Sequence, residues 1–233
     1  MRRPILVLAL LLASGSALGQ MTGNPENWCR EGFFTRDSKS FGTSLVKGKT
    51  GARIHFYNDS SERCPESTSC VERSYLVPGD PVITNRIRGA FACSWYSPAT
   101  GAPTVGWIRL SDLVPMRAAS DPSIRAWLGE WHYGDNSIVL TENKLSGNLN
   151  VAGDAMWKGL GDNVHVGEID GRVEPKNGVL EYSDGDGEFD CQATIRLVGG
   201  SLVVVDNMKC GGMNVTFSGV YTKRAKSAQI RSR

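Results

Sequence analysis

The sequence predicts an all-β protein of two small domains, the second an antiparallel up-and-down barrel of about eight strands. Three observations carry that expectation. Helical periodicity is scarce along the 233 residues. Short alternating or β-branched runs recur between Gly, Asn and Asp punctuation, with 27 glycines in all, as small antiparallel domains require. The six cysteines, an even number, all lie downstream of residue 19.

The elements follow in order. Residues 1–19 read as a cleaved signal peptide: Arg2 and Arg3, an apolar run from Ile5 to Leu12, then the small-x-small ending Ala17-Leu18-Gly19. That run is far shorter than the roughly 20 residues that span a bilayer. Strands are expected at 52–57, 70–77, 81–85, 90–96 and 105–109. These fall in a first domain at 20–117. A linker at 118–126 follows, with a helical turn at 122–126 capped by Asp121. The second domain, 127–224, should hold nine strands, at 129–133, 137–141, 144–151, 155–159, 164–173, 178–182, 189–197, 201–205 and 214–222. Connections this short imply sequential hairpins, and a sheet of that size avoids open edges by closing on itself. A basic tail, 225–233, ends the chain.

Export sets the redox chemistry. An even cysteine count in an oxidising compartment reads as a disulfide framework and argues against a free catalytic thiol. Cys191 and Cys210 flank a hairpin, and closing that loop would contribute roughly 3 kcal/mol. Cys64 and Cys70 suit a local clasp, which leaves Cys29 with Cys93, although four cysteines allow three pairings.

Charge is uneven. Residues 20–119 hold 12 basic and 9 acidic side chains, whereas 120–222 hold 7 basic and 15 acidic. An acidic domain favours basic partners. Its sharpest local feature is Asp184-Gly185-Asp186-Gly187-Glu188-Phe189-Asp190, read as a hairpin tip whose carboxylates Asp184, Asp186, Glu188 and Asp190 contact a partner. A calcium ion there is the lesser alternative, since no helices flank the loop and Ile195 stands where a bidentate Glu would be needed. Trp95, Tyr96 and Trp107 form a candidate second surface.

Other chemistry finds little support. The stretch from Gly42 to Thr50 has five residues between its glycines where a phosphate-binding loop has four, and no helix follows. His55, His132 and His165 sit singly in strands without metal-ligand spacing or a nucleophile. No cofactor is expected.

Two resemblances add to this. Phe56-Tyr57-Asn58-Asp59, Tyr75-Leu76-Val77-Pro78-Gly79-Asp80-Pro81-Val82 and Val105-Gly106-Trp107-Ile108 resemble a divergent bacterial Src-homology-3-like domain over 52–115. Such domains generally bind peptides or cell-wall components. Residues 129–224 are similar in outline to calycin-type small barrels. Gly129-x-Trp131 would open the first strand, and a basic residue near the closing strand, Lys223 or Arg224, would lie over that tryptophan. The 202–215 region resembles a pattern in exported proteobacterial proteins of unknown role.

The resulting expectation is a non-catalytic binding protein, periplasmic or secreted, with no transmembrane segment and no nucleic-acid partner. Its partner would be a basic cell-wall hydrolase or toxin that it inhibits, in the manner of an immunity protein. A peptidoglycan-tethering module and a small-ligand carrier are the alternatives.

Overall fold

The computed structural model describes residues 23–36, 38, 40–117, 122–144 and 147–224. The expected signal peptide, the basic tail and residues 118–121 of the linker, with the expected cap Asp121, lie outside them. The all-β expectation holds, and the chain forms two antiparallel sheets.

A short helix α1 (Glu31–Phe34) precedes the first sheet, which comprises β1 (Gly42–Val46), β2 (Ile54–Tyr57), β3 (Val71–Leu76), β4 (Pro81–Arg88), β5 (Phe91–Tyr96), β6 (Thr104–Arg109) and β7 (Leu113–Pro115). Their order is β3-β2-β6-β5-β4-β1-β7. β1 and β7 were not among the expected strands. They are fixed by long-range pairing: β1 lies between β4, with Thr43 opposite Ile83, and β7, with Leu45 opposite Val114. β1 occupies the stretch that superficially suggests a phosphate loop.

The second sheet follows one turn of helix, α2 (Ile124–Trp127), whose first turn carries no side-chain cap. Its strands are β8 (Gly129–Tyr133), β9 (Asn136–Glu142), β10 (Leu149–Lys158), β11 (Val164–Val173), β12 (Val179–Ser183), β13 (Gln192–Val198), β14 (Ser201–Asp206) and β15 (Gly219–Lys223). Their order, β11-β10-β9-β8-β15-β14-β13-β12, makes an eight-stranded, nearly closed barrel. Among the described residues no ladder joins β11 to β12. Across this seam the Tyr182 hydroxyl accepts from the Asp170 N–H at 3.3 Å and donates to its carbonyl at 3.4 Å. Further along, the Gly212 N–H donates to the Val166 carbonyl at 3.1 Å.

Two expected strands are in fact one. β10 runs unbroken through Gly153, which the sequence suggests is a turn. Here glycine serves close approach: a Cβ at this position would stand 2.8 Å from the Ser137 carbonyl oxygen and 3.1 Å from Ile169. The expected strand at 214–222 is also shorter. Its first half is a loop gathered by Asp206, whose carboxylate accepts from Thr216 Oγ1 and Ser218 Oγ, each at 2.6 Å, and from the Phe217 N–H at 2.9 Å.

The barrel interior is filled by side chains from every strand, with Trp127, Trp131, Phe217 and Tyr221 fully buried among Ile and Leu residues. Trp131 Nε1 donates to the Trp127 carbonyl at 2.9 Å. Lys223 Nζ lies over the Trp131 ring at 4.6 Å and donates to the Ala126 carbonyl; Arg224 instead pairs with Glu130.

Three disulfides form: Cys29–Cys93, Cys64–Cys70 and Cys191–Cys210. The first ties the segment before α1 to β5. α1 itself lies between the sheets, so Phe34, Trp95 and Trp107 share one buried cluster with Val203 and Val220 of the barrel's outer face. Among the described residues no helix is long and apolar enough to cross a membrane.

Candidate functional site

The acidic run joins β12 to β13. The Asp184 N–H donates to the Cys191 carbonyl at 3.2 Å, and the Asp190 N–H to the Gly187 carbonyl at 3.3 Å. Asp190 does not present its carboxylate to a partner. Its Oδ2 turns inward and accepts from the Gly187 N–H at 2.6 Å, while its carbonyl accepts from Asn207 Nδ2. It organises the loop on which Asp184, Asp186 and Glu188 are exposed. Phe189, 74% exposed at the tip, lies under the ammonium of Lys209, 5.2 Å from its ring centre. Among the described residues no group of three or more His, Cys, Asp or Glu side chains is placed to hold a metal ion.

Behind the loop, at the open end of the seam, is a recess of about 410 Å³. Asp154 from β10, Glu168 from β11 and Asp184 line it together with Lys209 and the Cys191–Cys210 bridge. A Cβ at Gly167 would stand 2.1 Å from the Cys210 carbonyl oxygen, so glycine lets this loop lie against β11. Sequence reasoning missed Asp154 and Glu168. They are isolated acids on separate strands, and only the β10–β11 register, which sets them directly opposite one another, brings them together.

The expected aromatic surface does not exist. Trp95 and Trp107 are each 1% exposed. Trp95 packs on Phe34 and Tyr133 and donates from Nε1 to Ser97 Oγ at 2.9 Å; Trp107 Nε1 donates to the Asn27 carbonyl at 2.9 Å. Tyr96 follows Trp95 in β5, so it points to the opposite sheet face. There burial, then the Asp80 carboxylate that takes its hydrogen bond, raises its phenol above the ordinary value. A spacing of one cannot put two strand residues in one groove.

The three histidines lie apart. His55 Nδ1 bonds the Glu72 carbonyl oxygen at 2.8 Å, His132 Nε2 pairs with Glu130 at 2.8 Å, and His165 stacks on Trp157 with centroids 5.2 Å apart. Where the sheets meet, burial, reinforced by the Glu31 carboxylate that accepts its hydroxyl, pushes the Tyr133 phenol well above its ordinary value. Comparison with known protein families, with curated proteins and with solved structures finds no match to this chain.

Proposed function

We propose that this is a non-catalytic periplasmic binding protein that captures a basic cell-wall hydrolase or toxin on the acidic side of its barrel. The observation that carries this reading is the grouping of Asp184, Asp186 and Glu188 in water beside a recess lined by Asp154 and Glu168. A net negative field concentrated at a disulfide-anchored loop steers an oppositely charged protein and accelerates encounter. The filled lumen gives a small-ligand carrier no comparable support.

The test is capture kinetics against purified basic lysozymes and cell-wall amidases. The triple variant Asp184→Asn/Asp186→Asn/Glu188→Gln, with Asp190 left to hold the loop, should slow association about tenfold at low salt and little at high salt. Equal rates at both salt concentrations would count against the reading. Sedimentation with purified sacculi, without binding to any of these enzymes, would replace it with wall tethering.

A further inference from the structure

The barrel carries a second feature that the hairpin tip does not explain. β10 and β11 have an outward face on which Lys158, Met156, Asp154 and Ala152 stand opposite Val164, Val166, Glu168 and Asp170. The Val166 carbonyl is engaged by Gly212 on the seam side, and Asp170 meets Tyr182 there too. These alternate residues of β11 therefore aim their main-chain groups away from β10. By the alternation of an antiparallel ladder, the rungs Met156–Val166 and Asp154–Glu168 are non-hydrogen-bonded pairs. In such rungs the Cα atoms lie about 4.5 Å apart, which brings the side chains together.

One rung is thus doubly acidic and its neighbour doubly apolar. Like charges directly opposite one another destabilise a sheet. Among the described residues neither Asp154 nor Glu168 has an ion-pair partner, for Lys158 is held by Asp135 at 2.7 Å and Lys209 sits over Phe189. The adjoining rung leaves Met156 40% and Val166 63% exposed. Val164, the next outward residue of β11 and 47% exposed, continues the apolar strip opposite Lys158. A facing carboxylate pair beside an exposed apolar pair leaves both rungs able to gain from a partner. A ligand that is cationic and apolar at adjacent positions relieves both.

We propose that this two-rung face is the specificity-determining contact, and that it takes a protein segment presenting a lysine or arginine next to a large apolar side chain. The cation enters between Asp154 and Glu168, with Asp184 facing it across the recess, while the apolar side chain covers Met156 and Val166. The class of partner rests on the reading above; the location and the two-part chemistry rest on the strand register. The tip acids then steer the encounter and the rungs hold the complex.

Three capped peptides of equal length test this by amide chemical-shift mapping: one alternating lysine with leucine, one lysine with serine, one glutamate with leucine. The lysine–leucine peptide should shift residues 152–156 and 164–170 and bind about tenfold more tightly than the lysine–serine peptide, with the glutamate peptide inert. Asp154→Asn/Glu168→Gln should lose that binding yet raise the melting temperature of the free protein by roughly 1–3 °C, as repulsion is removed. Met156→Ser/Val166→Thr should erase the preference for leucine over serine. A fall in melting temperature of the acidic-rung variant would show a satisfied pair and overturn the proposal, as would equal affinity for the two lysine peptides. Self-association abolished by Val166→Thr would assign the face to a second copy and also overturn it. A hydrolase that binds only at 184–188 would leave the functional reading standing and remove this one. Peptide binding at the rungs without capture of any hydrolase would do the reverse.

Discussion

The two sheets solve the same problem differently. The barrel supplies its own interior: all eight strands contribute to one cluster, and Trp127 from α2 completes it. The first sheet has a smaller core of its own, with Phe56, Leu76 and Ile108, and it buries its largest aromatics elsewhere. Trp95, Trp107 and Phe34 lie where α1 and the barrel's Val203 and Val220 meet it. Two of the three disulfides belong to this half. A small sheet with limited apolar area leans on staples and a neighbour, whereas the nearly closed eight-stranded sheet has one bridge and a complete interior of its own. The barrel is the platform, and its outer face does two jobs: one side receives the first sheet and another carries the acids.

Core truncations break this comparison most sharply. Phe217→Ala, inside the barrel, and Phe34→Ala, between the sheets, should each cost about 3–5 kcal/mol, since both side chains are fully buried. Their reach should differ. Phe217→Ala should accelerate amide exchange throughout the molecule, while Phe34→Ala should accelerate it in β1–β7 and leave β8–β15 protected. Equal acceleration in both sheets after Phe34→Ala would show that the barrel depends on its neighbour.

Crosslinks come next. Removing Cys29–Cys93, which closes 64 residues, should cost about 4 kcal/mol on chain-entropy grounds. Removing Cys191–Cys210, which closes 19, should cost about 3 kcal/mol. Urea midpoints of the paired serine variants measure the difference, and the first should also expose Trp95 and Trp107 to quenchers.

Alkaline titration is the finest test. Burial raises the Tyr221 phenol far above its ordinary value, with its hydroxyl donating to the Phe217 carbonyl at 2.8 Å. A raised folded-state value means that the unfolded chain releases this proton first. The contribution is therefore complete below about pH 10 and declines as pH rises beyond it, by up to about 1.4 kcal/mol per pH unit. Tyr221→Phe should flatten that decline in the barrel. Tyr133→Phe should flatten the parallel decline where Glu31 meets the barrel, and phenolate absorbance during unfolding separates the two. A decline unchanged by either substitution would place the alkaline weakness elsewhere.

Much of this architecture is legible in the chain. Alternation and glycine punctuation locate most strands, because a half-buried strand must alternate and a tight connection must turn. Spacing along the chain favours the observed cysteine pairing without excluding the other two, and the fold selects among them. What misleads is local resemblance without register. Gly153 looks like a turn because a mid-strand glycine and a hairpin glycine are identical in sequence; only Ser137 and Ile169 on adjacent strands distinguish them. Residues 214–218 look like a strand, yet Asp206 bonds their side chains and main chain into a loop. Asp190 looks like its acidic neighbours until its carboxylate is seen to hold Gly187.

The sequence by itself determined the all-β class, the presence of a disulfide framework and the acidic character of the second half, since these depend on composition and short-range pattern. The tertiary structure alone decided that Trp95 and Trp107 are buried between the sheets and that Asp154 faces Glu168. Burial and cross-strand adjacency are set by pairing between distant segments, and a one-residue change of register would turn every one of those side chains to the other face.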